Sequence, residues 1–195
     1  MFAAVANPSV TAAGFNDRNR DPAQVPRRFP MTPLTYFHVL LSLVGIASGF
    51  VAVFGMVSGR QLGSWTAVFL ASTAATSVTG FLFPFHEFLP SHGVGIASLI
   101  VLAFAAYALY AARLAGTWRR TFVVTAVAAL YLNMFVFIVQ AFQKVPALKA
   151  VAPKQSEPPF LFAQVVILVL FVGFGVAASH GFKAPVRDSR AARKG

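Results

Sequence analysis

His86, Glu87 and His92 lie close together in the stretch FLFPFHEFLPSHG, residues 81–93. Imidazole beside carboxylate can ligate zinc or iron, and a pair of histidines can hold a haem iron. A carboxylate near an imidazole also favours its charged form, so the pair can exchange a proton near neutral pH. His38 is a third imidazole, set inside the apolar run LTYFHVLLSLVG. Between Met31 and Phe182 the only acidic residues are Glu87 and Glu157. Asn133, Gln140 and Lys144 follow one another at spacings of seven and four, which places them on one face of a helix. Gln164 completes the polar set.

The motifs of better-known chemistry are missing. There is no GxSxG, HExxH, Walker or GxGxxG motif. His86 and His92 lack the four-residue spacing of a helical zinc pair. The chain has no cysteine, which excludes disulfides, thiolate metal sites, iron–sulfur clusters and a cysteine nucleophile.

The elements that must position these groups follow from composition. Of 195 residues 57% are hydrophobic and 11% charged, with mean hydropathy +0.71. So few charges cannot cover a soluble surface, and lipid is the solvent that suits the excess apolar area. Five runs reach the roughly 20 residues needed to cross a bilayer: 34–57, 65–85, 93–114, 122–142 and 160–179. A backbone in lipid must satisfy its own hydrogen bonds, so all five are expected as helices. The fold class predicted is all-α, an integral membrane bundle of five transmembrane helices. Residues 1–33 are expected as a disordered basic tail with no signal-peptide core, 34–181 as the membrane domain, and 182–195 as a second basic tail.

Five spans put the N-terminal tail, the 86–92 connection and the 143–159 loop on one side, called here the first side. The second side holds 58–64, 115–121 and the C-terminal tail. His38, His86, Glu87, His92, Gln140, Glu157 and Gln164 then gather toward the first side, with Asn133 deeper in the same half. This convergence holds whichever side faces the cytoplasm. Of the 16 basic residues, nine fall on the second side and seven on the first. With Met31 as an alternative start the first side would keep three. The positive-inside rule then puts the N-terminus outside and the C-terminus in the cytoplasm, in a bacterial inner membrane. Trp118 in GTWRR reads as an interfacial anchor.

Small residues four apart, Gly45/Gly49 in GIASG, Ser72/Thr76/Gly80 and Gly173/Ala177, permit close helix approach. They read as contacts within the bundle, with dimerisation through GIASG as the alternative. Pro146, Pro153, Pro158 and Pro159 predict that 143–159 is a stiff, non-helical loop, either a connector or a lid that brings Glu157 to the histidines.

The leading functional expectation is a non-enzymatic membrane protein. It binds or translocates a small ligand, lipid or proton at the mouth formed by His38, His86, Glu87, His92, Asn133, Gln140, Glu157 and Gln164, or serves as an accessory subunit. The alternatives are a b-type haem or quinone protein with His38 and His86 or His92 as axial ligands, and a metal-dependent membrane enzyme using the same histidines with Glu87. The bilayer is the expected partner, with a second copy or a larger membrane complex left open. The basic residues sit in tails and connections without a basic–aromatic motif, which argues against nucleic acid.

Overall fold

The computed structural model describes residues 33–60, 62–82 and 90–182. They form α1 (Pro33–Val57), α2 (Gly63–Gly80), α3 (Pro90–Ala106) continued by a π-helical turn (Tyr107–Ala111), α4 (Trp118–Lys144), α5 (Pro146–Val151) and α6 (Pro158–Gly181). No strand occurs among the described residues. Residues 1–32 and 183–195 lie outside them, so of the two expected tails only Pro33, which starts α1, and the buried Phe182 are described.

Four helices are long and apolar enough to cross a membrane: Pro33–Val57, Gly93–Ala111, Trp118–Lys144 and Pro158–Gly181. The expectation of five such spans is met by four. The exception is α2, which has 18 residues where the sequence suggested 21, because the helix ends at Gly80 with Phe81 as its cap. Three serines and four threonines also lower its hydropathy. Several of these hydroxyls bond back to their own helix, Ser72 to the Val68 carbonyl at 2.6 Å and Thr79 to the Ala75 carbonyl at 2.8 Å. Such bonds make α2 less costly to bury than its residue types imply.

The 143–159 segment corrects a second expectation, since it contains α5. Proline stops a helix from within but suits its first turn, where no amide hydrogen is required. Pro146 starts α5 and Pro158 starts α6, each preceded by an extended residue, Val145 and Glu157. α5 packs on α4 and α6 through Phe142, Ala152 and Phe160, with Leu148 alongside.

Successive long helices run antiparallel. At the first side His38 of α1 meets Thr79 of α2, and Phe142 of α4 meets Phe160 of α6, ring centroids 5.4 Å apart. At the second side Phe122 of α4 lies 5.9 Å from Phe182, and the Arg119 guanidinium donates to the Phe182 carbonyl. Gly181 sits so close to the Val57 carbonyl that any side chain there would collide with it.

Burial is concentrated at the second side and the middle. Every buried residue of α1 lies between Gly45 and Met56. The largest fully buried side chains include Phe69, Phe122, Leu130, Val53 and Val123. The first-side half of α1 instead exposes Tyr36, Phe37, Leu40 and Leu43, an apolar face suited to lipid.

A polar seam as the candidate functional site

Helix α2 carries Thr73, Thr76 and Thr79, one about every 4.5 Å along its axis. Thr73 is fully buried and accepts a hydrogen bond from the Asn133 carboxamide of α4 at 3.0 Å. Gly45 of α1 allows that meeting. A Cβ there would lie 3.1 Å from the Thr73 hydroxyl, 3.3 Å from the Ser72 hydroxyl and 3.5 Å from the Asn133 nitrogen. Three helices thus approach closely enough for their polar groups to pair inside an apolar bundle.

Two turns nearer the first side, His38 Nδ1 lies 2.9 Å from the Thr79 hydroxyl. That hydroxyl has one proton, within reach of its own helix at the Ala75 and Thr76 carbonyls. When the proton points there, its oxygen is left to accept from Nδ1; in the other tautomer the hydroxyl donates to Nδ1 instead. Either way the contact fixes the orientation of the imidazole against α2, and His38 is half-buried.

Other polar residues of the first side form a separate group. Gln164 is buried and donates to the Phe135 carbonyl at 3.3 Å. Gln155 donates to the Val139 carbonyl at 2.8 Å and accepts from Gln143 at 3.4 Å. Two glutamines therefore attach α6 and its preceding loop to carbonyls one turn apart on α4. The Glu157 carboxylate accepts from the Lys154 amide at 3.1 Å and the Ser156 amide at 3.0 Å. Desolvation is the largest single influence and opposes its charged form. Bonds from its own amide and those of Lys154 and Ser156, with the Lys154 charge, outweigh that and hold its pKa below the usual carboxylate value. Its oxygens are thus engaged within the loop itself.

Asn133 and Gln140 lie only about 20° apart around an ideal helix, yet Asn133 is buried and Gln140 and Lys144 are exposed. The three share one face of α4, and the packing covers only its Asn133 end. Between Asn133 and Phe142 no residue of α4 is buried. Phe142, about 180° around from Asn133, is where α5 and α6 take over. The neighbours of α4 change faces along its length, so one face has a buried and an open part.

His86 and Glu87 lie outside the described residues, as does the side chain of His92, whose backbone belongs to the first turn of α3. Among the described residues no group of three His, Cys, Asp or Glu side chains converges as metal ligands would. The sequence reading missed Thr73 and Thr79 and treated Thr76 as a packing residue. The regular hydroxyl spacing on α2 was the signal. Its small side chains were given steric meaning, while their hydrogen-bonding capacity was overlooked.

The α1 glycines lie inward: a Cβ on Gly49 would come within 2.6 Å of Leu130 and 2.8 Å of Phe69. GIASG is therefore used inside the bundle. Comparison with family models, with curated proteins and with solved structures finds no match for this chain.

Proposed function

We propose that this chain is a multi-pass membrane protein of five spanning helices, α2 included, that binds a small polar molecule or a proton from its first side. One observation carries the reading: His38–Thr79 and Asn133–Thr73 are paired polar contacts between helices, in an apolar bundle, on the side where burial thins out. Polar groups at such depth are costly unless they face an interior or water, and they mark functional positions by default. His38 holds the outer position and Asn133 the inner limit. His86, Glu87 and His92 belong to the same mouth by their place in the chain. Gln140, Glu157 and Gln164 border it, and the loop held by Glu157 flanks the opening.

Binding is favoured over translocation. Beyond Asn133 toward the second side stand Leu130, Phe69, Val53 and Phe122, all fully buried. The excess of basic residues on the second side supports a cytoplasmic C-terminus.

The cysteine-free chain permits a direct test with single cysteines in sealed proteoliposomes and a membrane-impermeant thiol reagent. Ser156→Cys and Ser58→Cys should react from opposite faces, and reaction from one face would break the five-span arrangement. His38→Cys should react from the Ser156 face, and Val53→Cys from neither. An unreactive His38→Cys would remove the open mouth. A reactive Val53→Cys would turn the binding site into a conduction path.

A further inference from the structure

Aromatic and basic groups gather at a second place, on the second side, where α3 passes to α4. At Tyr107 helix α3 gives way to its π-helical turn. Such turns are rare in general and frequent at functional positions. Tyr107 meets Trp118, the first residue of α4, edge to face with ring centroids 4.9 Å apart. With Ala103 and Phe104 these two rings line a groove of about 420 Å³, within the span of small-molecule sites, roughly 300–1,000 Å³. Phe104 and Tyr107 are each half exposed, so the groove opens outward from the bundle.

The turn into α4 brings charge to this level. Arg113 and Leu114 both take left-handed backbone conformations, with φ 49° and 58°, which non-glycine residues rarely adopt. The turn sends Leu114 into the core and leaves Arg113 exposed. Arg119 and Arg120 follow Trp118 directly. The Arg119 guanidinium is engaged by the Phe182 carbonyl. Those of Arg113 and Arg120 have no partner among the described residues. The only acid among the described residues is Glu157, beyond the far end of α4. With 27 residues that helix is about 40 Å long, so no carboxylate there can neutralise the two arginines.

We propose that this groove is a site for an anionic phospholipid. One acyl chain lies against Ala103, Phe104, Tyr107 and Trp118, and the headgroup phosphate is held by Arg113 and Arg120. The guanidinium fork matches phosphate oxygens in pairs, and basic groups between helices recognise anionic headgroups. Trp118 suits the headgroup boundary, with an apolar ring and a polar N–H. In a bilayer an acyl chain exchanges one apolar surrounding for another when it enters such a groove. The headgroup charge therefore decides which lipid occupies it. The proposal rests on the membrane-spanning reading and is independent of the first-side mouth.

The test uses the full chain in proteoliposomes and reads tryptophan fluorescence, since the chain has two tryptophans. Trp65→Phe leaves Trp118 as the reporter. Trp118→Phe leaves Trp65, which is also half exposed and at the second side. Phosphatidylcholine vesicles carry a small fraction of acyl-brominated lipid, either phosphatidylglycerol or phosphatidylcholine. At equal fraction brominated phosphatidylglycerol should quench Trp118 the more strongly, with a preference of roughly tenfold for two guanidinium groups at one headgroup. The two lipids should quench Trp65 nearly alike. Arg113→Gln with Arg120→Gln, both at exposed positions, should bring the preference at Trp118 close to one, and Arg60→Gln should leave it unchanged. Equal quenching of Trp118 by both lipids overturns the site. An equal preference at Trp65 overturns it too, because it would reflect only a general attraction to the basic face. So does an unquenched Trp118 beside a quenched Trp65, since the groove would then hold no acyl chain. Labelling of Ser58→Cys and Ser156→Cys from one face would instead break the spanning arrangement, and the site with it.

Discussion

The two ends of this bundle solve the same problem in opposite ways. At the second side the helices close on one another through large apolar groups and backbone contact: Phe69 against Gly49, Phe122 against Phe182, Gly181 against Val57. At the first side they are joined by polar pairs, His38 with Thr79 and Gln164 with the Phe135 carbonyl, and fewer residues are buried. In the bilayer proposed for these helices, lipid offers no hydrophobic drive for them to associate, so association there rests on close packing and on hydrogen bonds. The closed end relies on the first of these and the open end on the second. Packing gives a rigid, dry end. Hydrogen bonds leave groups that a small solute can also engage.

The largest effect should come from opening the closed end. Phe69→Ala removes a fully buried ring wedged over Gly49. Truncating a buried Phe in a water-soluble core costs about 3–5 kcal/mol. Here the separated helices remain in lipid, so the transfer part shrinks and the lost packing remains. A loss on the order of 2 kcal/mol is expected in detergent unfolding. Phe37→Ala, a ring 54% exposed near the first side, should leave stability unchanged. Equal losses would mean that the two ends do not differ in packing.

A second comparison stays on one helix. Gly45 and Gly49 lie one turn apart on α1, and both are buried. Alanine at Gly49 would meet Leu130 and the Phe69 ring at 2.6–2.9 Å. Both of those side chains are fully buried and cannot retreat. Overpacking of this kind costs about 1–3 kcal/mol. Alanine at Gly45 would meet polar side-chain ends at 3.1–3.5 Å, which need to yield by only a few tenths of an ångström. Helix propensity returns about 1 kcal/mol for either change. Gly49→Ala should therefore lower the melting temperature, and Gly45→Ala should leave it nearly level. The reverse order would place the tight packing at the polar seam.

This contrast marks what the sequence could reveal. Run length alone located all the long apolar helices, because a bilayer sets one dimension that every span must match. The inward role of GIASG also followed, since small residues have few other uses there. Three features did not follow. The end of α2 at Gly80 was hidden because Phe81 and Leu82 prolong the apolar run past the helix. α5 was hidden because a proline can break a helix or start one, and only the structure shows Pro146 at a first position. The burial of Asn133 with Gln140 exposed depends on which helix faces α4 at each level, and a single helix's periodicity carries no information about its neighbours. For the candidate site, His38 and Asn133 were visible as polar residues in apolar runs. Their threonine partners were not, because a threonine in a lipid-facing sequence reads equally well as a spacer.

The smallest effect belongs to the loop at the open end. Glu157 is held by amides of its own loop and its carboxyl is depressed below its ordinary value of 4.5. For a carboxylate with a lowered folded pKa, the stabilisation is present above the unfolded value and is lost as pH falls through the folded one. The Lys154 and Ser156 amides should therefore keep their protection against hydrogen exchange, corrected for intrinsic rate, at neutral and mildly acidic pH. They should lose it only as pH drops below 4.5. Glu157→Gln, which keeps one acceptor oxygen without the charge, should lower the protection of the two amides and remove its pH dependence, while global melting stays unchanged because the group lies at the surface. The second-side turn offers the control: Leu114 is buried in the core, and its amide donates to the Ala108 carbonyl at 2.9 Å with no titrating partner in that bond. Its protection should not follow pH in this range. Loss of protection at Lys154 and Ser156 already near neutral pH, or a parallel loss at Leu114, would show that the first-side loop is not an independently held unit and that the two ends open together.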